Sequence, residues 1–186
     1  MNVEQKNMKQ PLNEIFILES DQKFDEVFSL YKTLLKSEPH NFEYWKHYFF
    51  FLWSMLEDGV GIFSVLKNEE LHKELKKELQ YGLDNFENIA EFNLIAEYTI
   101  SIFPYEFGDY EELKEVGENL LKKSTEINPQ NLIFKMILLG SYEKPTHNEK
   151  LEFEDLKPKV AKLILDQYSE RKGLLNEYFV QLFTRK

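Results

Sequence analysis

The sequence predicts an all-α protein of about nine helices in antiparallel pairs, with the last helix closing the stack. Three observations predict this. Apolar residues recur at three- and four-residue spacing along most of the chain, and no stretch alternates with the period of two that a half-buried strand needs. Two corners share one form, Glu38-Pro39-His40-Asn41 and Asn128-Pro129-Gln130-Asn131, each after an amphipathic run and before an apolar one. Apolar runs open at Asn41, Asn85 and Asn131, with starts 44 and 46 residues apart.

Residues 24–37 place Phe24, Val27, Phe28, Tyr31, Leu34 and Leu35 on one helical face. Glu38 precedes Pro39, and a residue before proline is pushed out of helical angles, so the helix stops there. Asn41 then caps "NFEYWKHYFFFLWSML". Residues 57–63, "EDGVGIF", hold two glycines and are the least regular connection. From 68 to 83, Leu71, Leu75 and Leu79 form a narrow stripe. Asn85 is expected to open the next helix, "NFENIAEFNLIAEYTISIF". From 109 to 127, Tyr110, Leu113, Val116, Leu120, Leu121 and Ile127 point inward. Asn131 opens "NLIFKMILLGSY", and past Glu149 the residues Leu156, Val160, Leu163, Ile164 and Tyr168 share a face. The last helix pairs Leu174 with Leu175, Tyr178 with Phe179 and Leu182 with Phe183, which suits a cap over the end of a stack. The whole of 1–186 reads as one domain, with a repeat-like core over about 22–142 and the helices of 149–184 as its cap.

Composition excludes several classes. The chain has 186 residues, 42% of them hydrophobic and 30% charged, which is globular composition with enough length for a proper core. It has no cysteine, so neither disulfide nor thiolate chemistry is open to it. The polar start, "MNVEQKNMKQ", is followed by no apolar stretch, and the longest apolar run, Tyr48 to Trp53, is far too short to span a bilayer. The expectation is a cytoplasmic protein with no membrane partner. A net charge of −10 argues against nucleic acid as a ligand. The charge is concentrated. Residues 84–121 hold ten acids (Asp84, Glu87, Glu91, Glu97, Glu106, Asp109, Glu111, Glu112, Glu115 and Glu118) against one base, Lys114, a balance of −9.

The corners carry a resemblance. Gly108-Asp109-Tyr110, the closing Asn128-Pro129, and "QKFDEVFSLYKTLLKSEPHN" with Trp45 beyond it resemble the tetratricopeptide repeat family in degenerate form. The resemblance implies a right-handed stack of helix pairs whose first helices line a concave binding face. The departures are the spacing of 44 to 46 in place of about 34, Phe49 where the family is usually small, and Val27 where it has alanine.

On that face the expected contact residues are Glu43, His47, Phe50 and Ser54, matched 44 residues on by Glu87, Glu91, Leu94 and Tyr98. Phe50 falls in the polar stripe and is expected to face water. Glu87 and Glu91 lie one turn apart with no helical cation nearby in sequence, an arrangement that suits a basic or mixed basic-apolar protein or peptide. His40, His47, His72 and His147 are scattered and expected at the surface. Glu69-x-x-His72 occurs once, where a di-iron bundle needs it twice. With no phosphate loop or nucleophile elbow either, the expectation is a non-catalytic interaction module without metal or cofactor. The alternatives are a bacterial immunity protein that neutralises a cationic toxin domain, and a metal-dependent enzyme with no recognisable motif.

Overall fold

The computed structural model describes residues 3–58 and 65–184. Among them are ten helices and no strand: α1 (Val3–Ser20), α2 (Phe24–Ser37), α3 (Phe42–Asp58), α4 (Val65–Asn85), α5 (Ala90–Ile102), α6 (Pro104–Phe107), α7 (Tyr110–Ile127), α8 (Leu132–Ser141), α9 (His147–Tyr168) and α10 (Leu174–Thr184). The fold is all-α, as expected, with ten helices against nine. The expectation included neither α1 nor the single turn α6, although Ile15-Phe16-Ile17-Leu18 is an apolar run within α1. The irregular connection expected at 57–63 falls largely outside the described residues.

The two proline corners have the same construction. Asn41 N donates to Glu38 O at 3.1 Å, and Asn131 N to Asn128 O at 3.1 Å. Each asparagine then caps the helix it opens: Asn41 Oδ1 accepts from Tyr44 N at 3.2 Å, and Asn131 Oδ1 from Ile133 N at 2.9 Å. Proline stops one helix and asparagine starts the next, so a four-residue sequence fixes each corner. The expectation at Asn85 fails for the same reason. No proline precedes it, so α4 runs on through Asn85 and α5 begins at Ala90. There Asn93 Nδ2 steadies the turn by donating to the carbonyls of Glu87 and Ile89 at 2.8 and 3.1 Å. Helix α9 opens on a full capping box, with Glu149 N donating to Thr146 Oγ1 and Thr146 N to the Glu149 carboxylate.

Neighbours in sequence pack as pairs: α1 with α2, α3 with α4, α5 with α7, and α8 with α9. The stripe Leu71, Leu75 and Leu79 is buried. Of the expected inward face of α7, Leu120 and Leu121 are buried, whereas Val116 and Ile127 are exposed. The side chain of Tyr110 lies outside the described residues. Gly82 marks the closest approach of α4 to α3 and α5, because a Cβ there would meet Trp45 at 2.7 Å and Phe92 at 2.4 Å. No helix among the described residues is long and apolar enough to cross a membrane.

The last helix corrects the picture of an end cap. Helix α10 packs against both α9 and α3. Tyr178 lies edge-on to Trp53 at 5.1 Å and against Phe50 at 5.2 Å, and Phe179 stacks on Tyr168 at 5.9 Å. Its start is fixed to α1, where Gly173 (φ +101°) turns the chain so tightly that a Cβ would meet Phe16 at 2.6 Å. The doubled apolar positions therefore cover two surfaces at once. The helix lies between α3 and α9.

Candidate interaction groove

Helices α3, α5 and α8 line a trough, and α10 lies in it. Phe50, expected to face water, is 6% exposed and packs on Trp53 and Tyr178. Leu94 is buried too, and the Tyr98 and Tyr178 hydroxyls hydrogen-bond to each other. Burial, followed by the bond to Tyr178, raises the Tyr98 pKa. Ser54 is buried and its hydroxyl donates to Phe51 O at 3.0 Å. These four side chains belong to the interior. Helix α10 covers the side of α3 that the polar stripe marks.

His47 is also buried, against the expected surface placement, with its ring 4.9 Å from that of Phe16. Burial, then the charges of Lys46 and Arg171, push its pKa down to about 3, so the imidazole is neutral at neutral pH. Its neighbour Lys46 is buried as well, and its ammonium lies 2.9 Å from Glu43 and 3.0 Å from Glu91. Burial lowers the pKa of Lys46, but Glu91 and then Glu43 outweigh it, so the net shift is upward and the lysine stays charged.

That triad corrects the reading of the acidic window. Glu91 is paired with Lys46, and Glu87 lies 2.9 Å from Lys123 of α7. Glu106 meets His72 at 2.7 Å, and Glu118 lies 3.9 Å from Lys122. Glu97 accepts from Ser101 Oγ at 2.8 Å, and its burial raises its pKa. Cations far away in sequence have been folded onto the cluster. At the corner of α5, α6 and α7, Tyr105 is 88% exposed, Ile102 is exposed as well, and Asp109, Glu115 and Glu118 are at the surface.

Two features escaped sequence reasoning. Glu19 is only 5% exposed and forms no ion pair among the described residues. It accepts from the Tyr31 hydroxyl at 2.9 Å and from the first backbone N–H of α10, that of Leu174, at 3.0 Å. Burial pushes its carboxyl up to about 7 against the lowering effect of those two donors, and Glu177 adds to the rise. The signal was present, since Leu12, Ile15, Phe16 and Glu19 share one face of α1. The second feature is an apolar cleft of about 280 Å³ left between α10 and the trough. Phe50, Trp53, Leu94, Ile137, Tyr178 and Phe179 are among its walls.

Among the described residues no group of three or more His, Asp or Glu side chains is placed to hold a metal ion. The buried charged groups Glu19 and Lys46 join helices to one another, and no charged side chain lines the cleft. Comparison with protein-family models, with curated proteins and with solved structures finds no match.

Proposed function

We propose that the chain is a non-catalytic, tetratricopeptide-like helical module that binds a basic or mixed basic-apolar protein or peptide. The observation that carries the reading is the exposed corner of α5, α6 and α7. Tyr105 stands out from the surface there, with Ile102 three residues before it and solvent-facing acids on α7 after it. An accessible aromatic within acidic surroundings is the pattern of an interface anchor, with steering charge about it. Consecutive helix pairs and the repeated proline–asparagine corner support the repeat-like part of the reading. Because α10 covers Phe50, Leu94 and Tyr98, and Glu43, Glu87 and Glu91 are paired with Lys46 and Lys123, the reading puts the partner at this corner.

The test is a pull-down with the full chain, compared with a Tyr105→Ala/Glu115→Lys variant. A cationic protein held one to one at about 0.05 M salt and released at about 0.5 M supports the reading, provided that the variant fails to hold it. Truncation of a central aromatic anchor is worth about 2 kcal/mol, or some thirtyfold in affinity. A partner that binds parent and variant alike would remove this corner as the docking surface.

A further inference from the structure

The cleft beneath α10 is independent of the acidic corner, and its walls specify a different ligand. We infer that it is a binding site for a small, uncharged, largely apolar molecule.

Two observations carry this. The first is size. An apolar cavity of about 150 Å³ takes up benzene, and this cleft, at about 280 Å³, is roughly twice that. Two linked rings or a medium-length alkyl chain match the space. The second is charge. No lysine, arginine, histidine, aspartate or glutamate is among the lining residues, so a charged group brought inside would be desolvated without a partner. The hydroxyls in the walls are already engaged. Thr99 Oγ1 donates to Ile95 O at 2.9 Å, and the Tyr98 and Tyr178 hydroxyls bond to each other.

Why the space exists at all follows from the packing. Helix α10 presents a stripe two residues wide to a trough whose floor is α5 and α8, and its contacts run to the sides, with α3 and α9. The middle is left unfilled. Leu182 lines the cleft and is also exposed, so it marks the mouth.

The experiment titrates the full chain with N-phenyl-1-naphthylamine, a neutral dye that brightens in apolar surroundings, and then displaces it with 1-decanol or with decanoate at pH 8. The expected result is saturable binding of one dye per chain, with decanol displacing it at least tenfold more effectively than decanoate. Ile137→Phe, which adds a ring to a half-buried wall position, should weaken dye binding at least tenfold with the helical spectrum unchanged. Leu182→Trp at the mouth is the second variant, and it decides the matter if Ile137→Phe does not fold. Absence of saturable binding would overturn the site, as would equal displacement by alcohol and carboxylate. So would a folded variant that binds like the parent.

Discussion

Glu19→Gln should change the pH dependence of stability in a direction that the position of Glu19 fixes. In the folded chain the carboxyl is buried between Tyr31 and the start of α10, and its pKa is pushed from the ordinary 4.5 up to about 7. The folded state therefore holds a proton that the unfolded chain has lost between those two values. The stabilisation from that proton is fully present below 4.5 and is lost as pH rises through about 7. At 1.36 kcal/mol per pH unit, this amounts to about 2.5 kcal/mol between pH 5 and pH 8.5. Glutamine carries no charge at either pH. It can still accept from Leu174 N, but its amide must then face the Tyr31 hydroxyl, at a pH-independent penalty of about 1 kcal/mol. The variant should thus be the less stable protein at pH 5 and should gain about 2–3 kcal/mol on its parent by pH 8.5. Urea unfolding at both pH values, followed by helical circular dichroism, measures the difference. If the gap between parent and variant is the same at both, Glu19 ionises in the folded protein much as it does in the unfolded chain, and the reasoning fails.

The acid side should show the opposite sign at His47. Its pKa is pushed from 6.5 to about 3, so stability is lost as pH falls from 6.5 toward 3, and His47→Phe should flatten that limb in urea titrations at pH 4 and pH 7. Phe50→Ala should cost about 3–5 kcal/mol, as for a buried ring on any core helix, and a variant that melts like its parent would mean that α10 does not cover it. Gly173→Ala should destabilise by more than about 1 kcal/mol through its left-handed backbone angle and the contact with Phe16. An unchanged melting temperature would show that the start of α10 is not held there.

The all-α fold was legible because it rests on local rules. Proline followed two residues later by asparagine set both tight corners, and the stripe Leu71, Leu75 and Leu79 gave the buried face of α4. Charge placement was less legible. A window count cannot know that Lys46 and Lys123 are brought to Glu91 and Glu87 from 45 and 36 positions away. The candidate surface on α3 misled for a sharper reason. Every residue from Tyr44 to Met55 is buried, including three polar ones, so this helix has no solvent face along that length. A helix apolar nearly all round is a buried helix. That signal outranked the thin polar stripe of Glu43, His47 and Ser54.

The same sequence also contained the element that encloses it. A helix that covers one surface needs one apolar position per turn. Leu174/Leu175, Tyr178/Phe179 and Leu182/Phe183 supply two, which is the requirement of a helix wedged between two walls. Taken together, an all-round apolar α3 and a double-striped α10 call for each other, because each buries a face of the other. The polar residues caught between them are then handled individually. Lys46 is held by Glu43 and Glu91, His47 is kept neutral, and Ser54 bonds to its own helix. Removing α10 would expose Phe50, Trp53 and Tyr98 together and break the Glu19 bond to Leu174. It is thus part of the core and not a separable tail.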